Sequence, residues 1–178
     1  MRIVALDFET TGPAEGWPNE PWQLGMVELD PGSFDIIEGT MWETFFRIDP
    51  KRPFSPRAPG RWAGMRDELA AAPALYDIWP EVAKRLSGAV LVAHNAGTER
   101  TLLTRIAPLS PWGPWTDTLT LAKRHWPNLS GYRLSDVAGA FGLAERLGEL
   151  LPGRTWHDAL YDAVAGALVY SHIRRMFA

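Results

Sequence analysis

The run Ile3-Val4-Ala5-Leu6-Asp7-Phe8-Glu9 constrains this chain more than any other stretch. Side chains alternate between the faces of a strand, so Ile3, Ala5, Asp7 and Glu9 form one row and Val4, Leu6 and Phe8 the other. Both rows are apolar until the acids arrive, which predicts a strand inside a sheet covered on both faces. Asp7 and Glu9 then point the same way at the strand's end. Two carboxylates at close range repel each other, and a cation offsets that repulsion. A strand end facing water tolerates the same pair, so this stretch alone does not decide for a metal.

A chain of 178 residues has the size of one domain, and a single domain over 1–178 is expected. It contains no cysteine, which excludes disulfides and thiolate metal sites. Asp7 interrupts the first apolar run too early for a signal peptide, and no uncharged run approaches the ~20 residues of a membrane helix. A soluble, cytoplasmic protein with no membrane partner is the expectation.

The net charge of −3 does not announce a nucleic-acid binder, so any attraction to a polyanion has to be local. Two acid-free stretches qualify. Lys51, Arg52, Arg57, Arg61 and Arg66 stand with Phe54 and Trp62, and Lys123, Arg124, His125 and Arg133 with Trp126 and Tyr132. Basic groups meet phosphates and aromatic rings stack on unpaired bases, a mixture suited to a single strand. A proline-rich surface loop and a solvated helix end would read the same way.

Along the chain, residues 13–21 read as a loop from their prolines and glycines. Strands are predicted at 23–29 and 39–48, and the short turns between the first three strands suit antiparallel neighbours. Helices are predicted near 66–71 and over 76–86, and Ala89–Ala93 as a buried strand. Further helices are predicted at about 98–106, 117–124, 134–141 and 158–176, with residues 112–115 as a loop. No internal repeat or low-complexity tract interrupts the order.

Two more constellations repeat the logic of the first. Ala89–Ala93 runs into His94-Asn95-Ala96-Gly97-Thr98-Glu99, a strand end feeding a helix start, where α/β sheets form their ligand crevice. Glu99 could therefore face Asp7 and Glu9, although an acid in a first turn also suits the helix dipole. In Thr155-Trp156-His157-Asp158-Ala159-Leu160-Tyr161-Asp162, Thr155 and Asp158 fit a capping pattern. His157 and Asp162 can converge only if His157 sits at or before the helix start. A histidine there feels the positive end of the dipole, which favours the neutral imidazole that a general base requires.

Taken together, these pieces resemble the DEDDh family of 3′–5′ exonucleases, in particular the exonuclease X-like branch and the proofreading exonuclease domain of DNA polymerase III epsilon. Asp7–Gly12 matches the motif Asp-x-Glu-Thr-Thr-Gly in full. Ala93–Ala96 matches the start of the second motif, and His157–Ala163 the third, His-x-Ala-Leu-x-Asp-Ala. The stretch from Asp117 to Arg124 and Trp126-Pro127 also look like family sequence.

The resemblance implies an α/β, ribonuclease-H-like fold: a mixed five-stranded sheet, its first three strands antiparallel, with helices on both faces. It implies removal of nucleoside 5′-monophosphates from a 3′ end of DNA, single-stranded or frayed. Asp7, Glu9, Glu99 and Asp162 would hold two divalent ions, and oxygen ligands favour Mg²⁺ or Mn²⁺ over zinc. His157 would be the general base. Thr10, Thr11 and Gly12 would lie beside the terminal nucleotide, with Gly12 allowing close backbone approach, and Trp62 would join the substrate surface. Asn95 would brace the site.

Several positions depart from the family pattern. Glu99 stands where the family has Asp, Thr98 where an aromatic is usual, Asp158 where a basic or polar residue is common, and Ala63 about where many relatives carry a histidine. The longer side chain at position 99 pushes its carboxylate out by over ~1 Å, a misplacement that can cost ~100-fold in rate. RNA 3′ ends remain the alternative substrate, because a 2′-hydroxyl is read by local geometry. A binding module with a degenerate metal site is the alternative of another class. A polymerase or other protein partner is compatible with the sequence but not indicated by it.

Overall fold

The computed structural model describes residues 1–58 and 62–177. Its strands are β1 (Ile3–Thr10), β2 (Pro21–Leu29), β3 (Trp42–Phe45), β4 (Val90–Ala93) and β5 (Trp115–Asp117). They form one sheet in the order β3-β2-β1-β4-β5. β1–β2 and β2–β3 pair antiparallel, while β1–β4 and β4–β5 pair parallel. The mixed sheet and its antiparallel first three strands are those expected. The helices are α1 (Arg66–Ala71), α2 (Leu75–Leu86), α3 (Gly97–Ile106), α4 (Thr118–His125), α5 (Leu134–Ala140), α6 (Ala144–Leu150) and α7 (Ala159–Phe177).

The two rows of β1 enter two different cores. Ile3 and Ala5 join Val27, Val92, Leu160 and Val164 on the face covered by α7. Val4, Leu6 and Phe8 join Leu24, Leu91, Val82, Leu86 and Leu103 on the face covered by α2 and α3. Alternation therefore delivers Asp7 and Glu9 to the α7 side, at the end of a strand anchored through both faces.

The start of α7 lies directly on β2. A Cβ at Gly25 would stand 2.2 Å from the Leu160 backbone nitrogen, so only glycine permits the approach. Gly25 pairs with Asp7 and Gln23 with Glu9. The close crossing thus brings the first turn of α7 beside the acid pair.

Three expectations need correction. β3 covers only Trp42–Phe45 of the predicted 39–48, because a 3₁₀ turn occupies Glu38–Thr40 and the ladder to β2 runs only from Trp42 to Phe45. Trp115, expected in a loop, opens β5, and α6 was not anticipated. Among the described residues, no helix is long and apolar enough to cross a membrane.

Candidate active site

Asp158, not Thr155, caps α7. Its Oδ1 accepts the backbone N–H groups of Leu160 and Tyr161, both at 3.2 Å, while Thr155 is exposed. The helix therefore begins at Ala159, and His157 lies just before it with φ +66°. This left-handed turn meets the condition for convergence. The His157 backbone N–H donates to Asp162 Oδ2 at 3.1 Å, and its exposed ring brings Nδ1 to 4.0 Å from Glu9 Oε1. Ligand atoms of Glu9, His157 and Asp162 all lie within 4.8 Å of one another.

Asp7 and Glu99 border the same cluster. Glu99 is buried in the first turn of α3, and Asp7 is half-buried. Burial, then the charges of Glu99, Asp162 and Glu9, holds the Asp7 carboxyl well above the usual carboxylate range. Burial and the neighbouring Asp162, Asp158 and Glu99 push Glu9 up to about 8. Burial also pushes Glu99 up to about 7, against the pull of its own backbone N–H and that of Phe8. Asp162 rises to about 7 through burial, opposed by the His157 N–H. Glu99 Oε2 and Asp162 Oδ1 are buried without a hydrogen-bond partner.

An all-carboxylate donor set with unpartnered buried oxygens fits hard divalent cations such as Mg²⁺ or Mn²⁺. A cation would satisfy the lone pairs and cancel the repulsion that raises all four acids.

The second basic stretch opens on this cluster. A cleft of ≈ 470 Å³ is lined by Asp7, Asp162, His94, Asn95, Lys123 and Arg133, among others. The Lys123 ammonium lies 5.7 Å from the Tyr132 ring centroid. His94 holds that wall in place. Its Nε2 lies 2.9 Å from the Tyr132 carbonyl oxygen, which can only accept, so Nε2 carries the hydrogen. Nδ1 is then the acceptor for the Thr118 hydroxyl at 2.9 Å. Burial lowers the His94 pKa, in keeping with a neutral strut. Asn95 has φ +65°, and its backbone N–H donates to Asp117 Oδ1 at 2.9 Å. It borders the cleft.

In the first basic stretch, Arg52 and Arg66 are committed to internal structure, whereas Lys51 and Arg57 are exposed. Arg52 is fully buried, and its Nη2 donates to Thr11 Oγ1 at 2.7 Å and to the carbonyls of Gly12 and Pro18. Arg66 lies over the rings of Phe54 and Trp62, at 4.8 and 5.5 Å from their centroids. It also donates to the Arg52 carbonyl at 2.8 Å. Trp62 stacks on Phe54 with centroids 4.4 Å apart, and its Nε1 donates to the Ala58 carbonyl. Arg61 lies outside the described residues.

Thr11 and Gly12 make internal contacts. The Thr11 side chain is fully buried, and its hydroxyl binds Arg52 and the Glu20 N–H. Its backbone bonds Glu20 and Ser55. Gly12 has φ +67°, and a Cβ there would meet Ser55 Cβ at 2.5 Å. Its close approach is to this loop, so the pair fastens the loop to the end of β1. Thr10 is half-buried and closes the strand. The sequence gives no sign that Arg52 is internal, since a buried and a solvated arginine read alike.

The family model described as Exonuclease (RNase_T) matches residues 4–170. Exodeoxyribonuclease 10 of Escherichia coli strain K12 is 32% identical over 163 residues, covering 91% of this chain and 63% of that protein. A DNA polymerase III subunit epsilon-like protein of Rhodobacter capsulatus is 31% identical over 171 residues, covering 94% of this chain and 23% of the relative. The chain thus spans less than two thirds of either relative. The solved structure of exonuclease X in complex with 5′ overhanging duplex DNA superposes with a TM-score of 0.70 at 27% identity, covering 99% of this chain and 92% of that one. With that family model across most of its length and the DEDDh motif order running from Asp7 to Asp162, the chain belongs to the exonuclease family, among its DEDDh 3′–5′ exonucleases.

Proposed function

We propose that this protein hydrolyses phosphodiester bonds from the 3′ end of DNA, taking single-stranded or frayed ends and releasing nucleoside 5′-monophosphates. The observation that carries this reading is the meeting of four acids and His157 at the end of β1, with Glu99 and Asp162 each keeping a buried oxygen unpartnered. The relative named exodeoxyribonuclease and the neighbour solved with DNA support DNA as the substrate.

Asp7, Glu9, Glu99 and Asp162 would hold two divalent ions, Mg²⁺ or Mn²⁺, which supply positive charge at the attacking and leaving oxygens and acidify water. His157 takes the proton of the attacking water. Its exposed ring beside Glu9 suits that role, because water and the terminal phosphate can both reach it. As water adds to phosphorus, the bond to the 3′-oxygen of the preceding nucleotide breaks, and that oxygen takes a proton from solvent and leaves as a hydroxyl. Lys123 and Arg133 on the cleft wall meet backbone phosphates, and Tyr132 offers a ring to an unpaired base.

The test is 3′ trimming of matched DNA and RNA strands by the wild type and by Lys123→Ala with Arg133→Ala. Faster trimming of DNA is expected, with weaker and less salt-sensitive binding in the double variant. Trimming of RNA alone would move the substrate to RNA 3′ ends, and binding without turnover of either strand would overturn the exonuclease reading.

A further inference from the structure

At the first turn of α7, Arg154 joins two acids from distant parts of the chain, Glu43 and Asp158. Its Nη1 donates to Glu43 Oε2 on β3 at 2.8 Å, and its Nη2 donates to Glu43 Oε1. Nη1 also reaches both oxygens of Asp158, at 2.9 and 3.1 Å. Asp158 is 1% exposed, and its Oδ1 caps α7. Gln23 completes the ring: its Nε2 donates to Glu43 Oε2 at 3.1 Å, and its Oε1 accepts the Ala159 N–H at 3.2 Å.

From this geometry we infer that Arg154 is a positioning residue for the reaction: by tying the α7 cap to β3, it holds His157 and Asp162 in register with Asp7 and Glu9. The inference rests on the exonuclease reading. Three features give it physical content. First, His157 sits at φ +66°, a conformation that L residues avoid unless the surroundings impose it. The residue that follows it is Asp158, which Arg154 grips. Second, Gln23 is the register partner of Glu9, so the ring fastens the α7 start to the strand position opposite a candidate ligand. Third, the guanidinium fork engages Glu43 through both nitrogens, which fixes direction as well as distance. Gly25 sets how near α7 comes to β2; Arg154 sets how its first turn is aligned along β3.

A group acting through alignment affects turnover more than substrate affinity. Removing the fork from Arg154→Ala is expected to lower kcat by about 10- to 100-fold, the scale of a misplacement near 1 Å. KM for a single-stranded oligonucleotide should stay within about threefold, because phosphate contacts dominate nucleic-acid affinity and none is removed. Arg154→Lys should restore part of the lost kcat, since an ammonium can hold one carboxylate but not the fork.

The experiment measures steady-state trimming of a 5′-labelled strand at saturating Mn²⁺ by the wild type, Arg154→Ala, Arg154→Lys and Glu43→Gln. Thermal unfolding and amide exchange are recorded on the same samples. Accelerated exchange confined to residues 157–162, together with the kcat loss and partial rescue, is the expected result. If Arg154→Ala does not fold, Glu43→Gln carries the test, with a smaller loss of the same kind. A folded Arg154→Ala with kcat within twofold of the wild type and unchanged exchange at 157–162 would overturn the inference. A loss explained wholly by the unfolded fraction would also overturn it. Failure of the exonuclease reading is separate: the wild type itself would trim no strand, and exchange at 157–162 would still report whether Arg154 sets the turn.

Discussion

Beyond the end of β1, the Arg52 Nη2 donates to the Thr11 hydroxyl and the carbonyls of Gly12 and Pro18, and the Glu20 carboxylate stands 3.4 Å from its Nε, while Nε and Nη1 are buried without a hydrogen bond. At the end of the strand itself, Asp7 and Glu9 face Glu99 and Asp162 with no lysine or arginine paired to any of them among the described residues, and the His157 ring brings Nδ1 to 4.0 Å from Glu9. One buried cation has an acid and three protein oxygens beside it and holds a loop; the acids lie together as a group of like charge. A buried charge without a partner costs stability, so its persistence points to a ligand rather than to the fold.

The largest effect expected from this contrast is on turnover. Glu9→Gln or Asp162→Asn should lower the trimming rate by more than about 100-fold, beyond the loss common for residues that only support a metal ligand. The metal-free variants should unfold no earlier than the wild type, because each loses a repelling charge. Early unfolding of both would mean that the acids hold the fold together. Arg52→Ala should do the reverse, costing about 3 kcal/mol by leaving buried acceptors without a donor. An urea titration showing less than about 0.5 kcal/mol, the range of ordinary surface changes, would place Arg52 with the solvated cations.

A smaller effect follows from pH. The four carboxyls titrate higher in the folded than in the unfolded chain, Glu9 near 8 and Glu99 and Asp162 near 7. A raised carboxyl favours the folded state while protonated, so metal-free stability should be greatest near the ordinary carboxylate pKa. It should decline as pH rises through about 7 to 8. Mg²⁺ or Mn²⁺ should raise the unfolding temperature more at about pH 8 than at about pH 5.5, since protons compete for the same oxygens. An equal shift at both pH values would separate the acids from metal binding.

Much of this contrast was legible in the sequence on the acid side and none of it on the arginine side. Alternation along β1 assigned its rows to two faces, and both cores match that assignment. The condition on His157 could be stated because helix geometry forbids a five-residue pair from converging inside a regular helix. Arg52 and Lys123 looked alike, since neither pattern nor composition tells a buried guanidinium from a cleft-facing ammonium. β5 escaped notice because three residues after Gly113-Pro114 carry no readable period. The short α6, with Gly148 inside it, offered little more. That Gly12 also packs against Ser55, 43 positions along the chain, was not legible either.

The measurement that tests the central claim most directly follows a 5′-labelled single-stranded DNA with Mg²⁺ or Mn²⁺, comparing the wild type with Asp7→Ala. A metal-dependent ladder shortening from the 3′ end, absent from Asp7→Ala, is the expected result. A ladder that persists unchanged in Asp7→Ala, or no ladder with either metal on DNA or on a matched RNA, would contradict the account.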